Sequence, residues 1–242
     1  LESADGVFVT TPQQKTYLER YYRFPEHWTT LVPYAVEVSN LIEQADQKKA
    51  REHLGISESS GIVVTFSDMN ENFSLKPVLK AFAKVSLKKP LAKLIVIGMG
   101  PAFKSLERMV LDLALGSRVL FLGPKDGDDL RDCISACDVY LDLGTRSTGY
   151  DPMMIEAMSQ QKIVIGSEVG PIAHVIEDGT DGFLIRPADS ESLAHVLLEC
   201  FLGAVSTADV GIRARSKVLH LFDARQMVKS LDEAYRKILS SR

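Results

Sequence analysis

Short apolar runs alternate with segments of helical periodicity along most of the chain. From residue 61 onward, six apolar runs predict strands at residues 62–66, 94–98, 119–123, 139–143, 163–165 and 182–185. Continuous apolar strands that alternate with helices are typical of a parallel sheet covered on both faces. The pattern therefore predicts an α/β fold, doubly wound, with a mostly parallel, Rossmann-like sheet of six strands.

The segments between these runs are spaced as helices. Helices are predicted at residues 74–85, 104–115, 129–137, 151–159, 171–177, 190–201, 209–221 and 224–239. Before residue 61, the pattern predicts strands at 5–11 and 30–36 and helices at 12–22 and 40–54. The apolar run at 30–36 indicates an interdomain connector, after which the regular α/β alternation begins.

Composition restricts the classes of partner. The 242 residues carry a net charge of -4 and no basic cluster, which argues against DNA or RNA as a ligand. The chain has three cysteines, Cys133, Cys137 and Cys200, which cannot all pair with one another, so a reducing cytoplasm is expected. Cys133 and Cys137 lie one helical turn apart without a completing ligand set, which favours helix packing over a metal site.

A ligand site is expected where the strands end, because open α/β sheets bind ligands beyond the carboxyl ends of their strands. Five such ends carry glycines or polar residues, at positions 66–67, 98–100, 123–124, 144–151 and 166–170. Gly98 and Gly100 lack the third glycine and the later acidic residue of a dinucleotide fingerprint. A nicotinamide cofactor is therefore not expected.

Six sequence blocks occur in a characteristic order. They are the Gly98 and Gly100 pair, residues 119–123, 136–139, 156–158, the strand at 163–165 with Gly170, and residues 178–189. In this order the blocks resemble the C-terminal donor-binding domain of family-4 (group 1) retaining glycosyltransferases of the GT-B fold. The resemblance covers about residues 61–201.

The resemblance implies a division of the chain into three parts. Residues 1–38 correspond to the end of an N-terminal acceptor domain and its linker, residues 39–221 to the donor-binding domain, and residues 222–242 to a C-terminal helix that packs back towards the first domain. Most of the acceptor domain is then missing, so we do not expect these 242 residues to be active alone.

The resemblance also implies a function. Such enzymes transfer a sugar from a nucleotide-sugar donor to a glycan, lipid or protein acceptor, and they need neither a metal nor a cofactor. Positive groups and helix N-termini neutralise the diphosphate instead. Acceptor binding, and any peripheral membrane contact, is expected only through the missing domain.

The family pattern places donor contacts on named residues of this chain. Glu156 corresponds to the glutamate that binds the ribose hydroxyls, a role that suits a carboxylate acceptor. The other expected donor-binding residues are Leu122, Gly123 and Pro124 for the base, Thr148, Gly149, Tyr150 and Asp151 for the sugar and phosphates, Gly98, Gly100 and Gly170 in the crevice, and Lys76 (or Lys80) for charge. No catalytic residue is assigned.

The predicted phosphate loop departs from the family pattern. Thr148 lies eight residues before Glu156, where the family usually has a second glutamate. Asp151 adds negative charge, and Pro152 has no N–H to donate to a phosphate oxygen. The same two residues suit the N-cap and the first position of a helix.

Two further loops lack expected groups. Asp68 and Phe73 occupy the positions of a phosphate-binding arginine and lysine, and His174 replaces a glutamate. These losses favour an alternative, a catalytically silent relative that acts as a scaffold or partner subunit. A third possibility is another doubly wound sugar enzyme, such as an epimerase, which would need paired acid and base groups that the sequence does not reveal.

Overall fold

A computed structural model describes residues 4–36, 45–57, 61–70, 75–144, 151–203 and 206–240. Two parallel sheets lie in these ranges. The smaller sheet pairs β1 (Val7–Val9) with β2 (Thr29–Leu31). The larger sheet contains β3 (Ile62–Phe66), β4 (Lys93–Ile97), β5 (Val119–Gly123), β6 (Val139–Asp142), β7 (Ile163–Ser167) and β8 (Phe183–Ile185).

The larger sheet has the strand order β5-β4-β3-β6-β7-β8, and all neighbouring strands are parallel. The chain proceeds outward from β3 to one edge and then returns to add β6 on the other side. This order is that of a doubly wound Rossmann-like sheet, with its switch point between β3 and β6. The predicted six-stranded parallel sheet is confirmed.

Ten α-helices occur in the described ranges: α1 (Pro12–Tyr22), α2 (Ala45–His53), α3 (Lys76–Lys88), α4 (Phe103–Asp112), α5 (Gly127–Ala136), α6 (Pro152–Ser159), α7 (Ile172–Val175), α8 (Ser190–Leu202), α9 (Thr207–Leu221) and α10 (Ala224–Ser240). The predicted helix at 104–115 was too long, because Ala114 has a left-handed φ of 52°. The predicted helix at 171–177 was also too long, because Ile176 is already extended.

Helices cover both faces of the larger sheet. Side chains of successive strand residues point to opposite faces, so Val63 packs beneath α3, α4 and α8, whereas Ile62 and Val64 pack beneath α5, α6 and α9. Both apolar clusters are almost fully buried. This two-sided burial explains why the strands are continuously apolar.

The last helix returns to the first segment of the chain. The rings of Phe8 and Tyr235 meet edge to face, with their centroids 5.2 Å apart. The backbone of Val36 exchanges hydrogen bonds with the start of α10, donating to the Phe222 carbonyl at 2.9 Å and accepting from the Ala224 N–H at 3.1 Å. The segments that precede and follow the larger sheet in sequence are thus in direct contact.

No single helix in the described ranges is long and apolar enough to cross a membrane. Helices α8 and α9, which meet at 106°, pass that test only as a bent pair. Each of the two buries one face in the protein, through Leu193 and Leu197 in α8 and Ala214 and Val218 in α9.

Candidate functional site

The switch point places the carboxyl ends of β3 and β6 side by side. Strand β6 ends at Asp142, and α6 begins at Pro152, so both elements open onto the predicted crevice. Three predicted donor-binding residues, Thr148, Gly149 and Tyr150, lie outside the described residues.

Asp142 fixes the chain on both sides of residues 145–150. This residue is 3% exposed. One carboxylate oxygen accepts from the Gly144 N–H at 3.2 Å, and the other accepts from the Asp151 N–H at 3.0 Å. Sequence reasoning treated Asp142 as part of an apolar strand and missed this role. An acidic residue that ends a buried strand was the available signal.

Asp151 does not present a free carboxylate to the crevice. It is the N-cap of α6, where one oxygen accepts from the Met153 N–H at 3.0 Å. The other oxygen accepts from the buried Tyr140 hydroxyl at 2.9 Å. The N-cap prediction agrees with this geometry, and the expected contact of Asp151 with the donor stays a prediction. With 6% exposure and both oxygens engaged, the carboxylate stabilises the helix start.

These carboxylates also act on Tyr140. Burial raises the pKa of Tyr140 well above its ordinary value, and the negative charges of Asp151 and Asp142 raise that pKa further. The hydroxyl therefore remains protonated and serves as a donor to Asp151. Strand β6 and the start of α6 are held together by this buried hydrogen bond.

Glu156 lies on the second turn of α6 and is half-buried. Its Oε1 accepts a hydrogen bond from Gln160 Nε2 at 3.1 Å. Gln160 Oε1 in turn accepts from the Ser135 hydroxyl of α5 at 2.9 Å. The carboxylate of Glu156 is thus held by an amide that is itself held by a neighbouring helix.

Tyr34, from the predicted connector, approaches the same region. Its half-buried ring packs against the cluster beneath α6. Burial raises the pKa of Tyr34, and the charges of Glu156 and then Asp151 raise that pKa further. Sequence reasoning assigned no role to Tyr34.

Gly98 and Gly100 allow two loops to approach each other. A Cβ on Gly98, which has φ +114°, would lie 2.0 Å from the Ser67 carbonyl oxygen. A Cβ on Gly100 would lie 1.8 Å from the Asp68 carbonyl oxygen. Both positions thus need glycine because of backbone packing between the loops after β3 and β4. This observation explains the glycines without a ligand.

The predicted base contacts lie at the end of β5. Gly123 has φ +68°, and the position of a Cβ there would be in open space. Its carbonyl accepts from the Gly98 N–H at 2.9 Å, which brings two predicted site residues together. Leu122 packs partly against the cluster beneath α6, and Pro124 is exposed.

The remaining predicted residues follow the strands β3 and β7. Gly170 has φ +64° and is exposed in the turn before α7. Lys76 is the first residue of α3 and is exposed, as is Lys80 one turn later. Asp68 is exposed and accepts from the Asn70 side-chain amide at 2.6 Å.

His174 lies on the surface of α7, and Phe73 falls outside the described residues. Within the described ranges, no group of three or more His, Cys, Asp or Glu residues could hold a metal ion. Cys133 and Cys137 are buried, and this burial raises their thiol pKa values to about 11 and about 12. Both thiols contribute to packing beside β6.

The sequence matches the family described as "Glycosyl transferases group 1" over residues 46–216, which is more than half of the chain. The chain belongs to this family. Group 1 glycosyltransferases use nucleotide-sugar substrates, so the sugar donor is a substrate and not a cofactor.

Relatives of this group 1 glycosyltransferase include N-acetyl-alpha-D-glucosaminyl L-malate synthase of Bacillus anthracis, which is 29% identical over 80% of this chain and 50% of the relative. Alpha-monoglucosyldiacylglycerol synthase of Streptococcus pneumoniae is 24% identical over 97% of this chain and 52% of the relative. The chain thus spans about half the length of these curated relatives.

Solved structures share the fold. Anabaena HepE in complex with UDP and glucose matches with a TM-score of 0.85 and 22% identity, over 96% of this chain and 63% of that chain. Sucrose-phosphate synthase of Thermosynechococcus elongatus matches with a TM-score of 0.82 and 26% identity, over 100% of this chain and 60% of that chain. The predicted α/β fold of a GT-B glycosyltransferase half is confirmed for this group 1 glycosyltransferase.

Proposed function

We propose that this chain is the donor-binding part of a retaining, family-4 glycosyltransferase that transfers a sugar from a nucleotide-sugar to a glycan, lipid or protein acceptor. The observation that carries the proposal is the placement of Glu156 in α6, which begins beyond the carboxyl end of β6 at the switch point of the sheet. Ligands of doubly wound folds bind at this location. Complexes of the similar HepE with UDP and with UDP-glucose support a nucleotide-sugar as the donor.

Glu156 accepts hydrogen bonds from the two ribose hydroxyls in this proposal. The open backbone at Gly123, with Leu122 and Pro124, receives the base, and the proposed contacts to the sugar and phosphates are those of residues 148–151 and Gly170. Lys76 supplies positive charge from the start of α3, where the helix N-terminus also favours anions. Stabilisation of the departing diphosphate is then mainly electrostatic.

The acceptor side belongs to a domain that we propose to precede residue 1, with residues 1–38 as its end and linker. The chain covers only 50% of the Bacillus anthracis relative and 63% of the HepE chain, which supports this assignment. A two-stranded sheet such as β1–β2 is marginal by itself, and Tyr21 and Tyr22 beside it are 68% and 60% exposed. Residues 222–242 return towards this domain. The three buried free thiols support a reducing, cytoplasmic location.

Isothermal titration calorimetry with UDP, GDP and ADP tests the proposal. We expect one of the three nucleotides to bind with micromolar to millimolar affinity. Glu156→Gln should weaken that binding about tenfold, which corresponds to about 1.4 kcal/mol. Glu107→Gln on the exposed face of α4 is the matched control and should leave affinity unchanged. If no nucleotide produced heat at millimolar concentration, the scaffold alternative would replace the transferase.

A further inference from the structure

Glu156 is connected to a buried residue of another helix through one amide. The Ser135 hydroxyl, on a residue 3% exposed, donates to Gln160 Oε1 at 2.9 Å, and Gln160 Nε2 donates to Glu156 Oε1 at 3.1 Å. Ser135 belongs to α5, whereas the other two residues lie at the end of α6 and one turn before it. The chain of hydrogen bonds therefore crosses the interface between the two helices.

The carboxylate of Glu156 determines the direction of these hydrogen bonds. A carboxylate only accepts hydrogen bonds, so it requires the NH2 side of the Gln160 amide. The amide oxygen then faces Ser135, whose hydroxyl can rotate to donate to it. A reversed amide would place its oxygen against the carboxylate, which is unfavourable, whereas the Ser135 hydroxyl could rotate to accept from the amide NH2. The orientation of Gln160 is thus selected by Glu156, and Ser135 anchors the other side of the amide.

We propose that Gln160, anchored by Ser135, is a positioning residue that holds the Glu156 carboxylate ready for the vicinal hydroxyls of the donor ribose. The inference rests on the proposed function of Glu156. A carboxylate held before the ligand arrives loses less side-chain freedom on binding, and this preorganisation strengthens affinity. Each carboxylate oxygen has more than one acceptor site, so Glu156 can bind Gln160 and ribose at the same time.

The helix end does not depend on the side chain of Gln160. The Gln160 backbone N–H donates to the carbonyls of Glu156 and Ala157, each at 3.1 Å. The Ser159 hydroxyl also donates to the Glu156 carbonyl, at 2.6 Å. Replacement of the Gln160 amide therefore removes the contact to the carboxylate while it leaves the backbone bonds at the end of α6 in place.

The test compares two ligands that differ only at the ribose. Affinities of the chain for the nucleoside diphosphate that binds best among UDP, GDP and ADP, and for its 2′,3′-dideoxy counterpart, give a ratio that reports the hydroxyl contacts. We expect Gln160→Ala and Ser135→Ala each to reduce this ratio roughly five- to tenfold. Ser86→Ala is the matched control, because Ser86 is a 4% exposed helix serine whose hydroxyl donates to the Ala83 carbonyl in α3. This control should leave the ratio unchanged.

Each of the other outcomes contradicts a specific part of the proposal. If wild type prefers the ribose ligand and Glu156→Gln abolishes the preference, but Gln160→Ala keeps it, the positioning role is wrong. An equal loss of affinity for both ligands would also reject the positioning role, since that result indicates a general loss of structure. If wild type shows no preference, the ribose contact itself fails. Gln160→Met keeps the side-chain length and provides the same comparison should the alanine variant not fold.

Discussion

Removal of the Asp151 carboxylate should destabilise the chain by more than the loss of a helix cap. An N-cap replaced by alanine costs about 1 kcal/mol. Asp151→Ala would also leave the Tyr140 hydroxyl, on a residue 1% exposed, without the acceptor that lies 2.9 Å away. An unsatisfied buried hydroxyl costs about 2 kcal/mol, so the expected loss is about 3 kcal/mol in the free energy of unfolding.

Guanidinium chloride unfolding followed by far-UV circular dichroism measures this loss. Thr11→Ala is the control, because the buried Thr11 hydroxyl also accepts from an N–H as the cap of α1 but, within the described ranges, is not the acceptor of a buried tyrosine hydroxyl. Its loss should cost about 1 kcal/mol. Tyr140→Phe added to Asp151→Ala removes the orphaned hydroxyl and should restore about 1 to 2 kcal/mol. The reasoning is refuted if Asp151→Ala costs no more than Thr11→Ala, or if the second change lowers stability further.

Three further results are expected. Gly98→Ala should cost at least about 4 kcal/mol in unfolding experiments because its Cβ meets a backbone oxygen at 2.0 Å, whereas Gly116→Ala, in open space at φ +51°, should cost about 1 kcal/mol. In calorimetry, Lys76→Ala should weaken nucleoside diphosphate binding about tenfold, since a charge-assisted contact contributes about 1.5 kcal/mol or more. Lys88 lies at the other end of α3, about 18 Å away, so Lys88→Ala should leave nucleoside diphosphate binding unchanged. At pH 8 a thiol-reactive disulfide reagent should react with no cysteine in the folded protein and with all three after unfolding. The reason is that burial raises the thiol pKa values to about 11 for Cys133 and about 12 for Cys137 and Cys200.

The contrary results are equally specific. Similar losses for the two glycine variants would show that the loops after β3 and β4 can separate at little cost. Equal effects of the two lysine variants would indicate a long-range charge effect and not a contact. For the thiols, the neutral form persists below the raised pKa, and unfolding returns the pKa to an ordinary value near 8.5. A rapid reaction in the folded protein would therefore contradict the buried positions.

The sequence pattern predicted the sheet well because continuous apolar runs report burial on two faces. Strand order required the structure, since crossovers leave no local pattern. Asp151 was recognised as an N-cap from its neighbour Pro152, but the direction of its second oxygen depended on Tyr140, which looked like an ordinary core residue. The glycines at 98 and 100 resembled a ligand loop, although the nearby backbone of another loop accounts for them.

The contacts around Glu156 illustrate the same difference. Its pairing with Gln160 follows from helical spacing and was accessible from the sequence. Ser135 lies 25 residues before Gln160, so only the packing of α5 against α6 brings the two together. Contacts within a helix can be inferred from spacing, whereas contacts between helices depend on the fold.

Because Asp142 anchors the chain at two points, changes in the residues between these points should have little effect on the stability of the protein. Its carboxylate binds the backbone at Gly144 and at Asp151, so the frame of β6 and α6 is closed independently of the residues between these two points. Changes in sequence or length between the two anchors should therefore leave the start of α6 in place. Exchange of these residues with those of relatives is then a way to test the proposed donor contacts of Thr148, Gly149 and Tyr150 separately from stability.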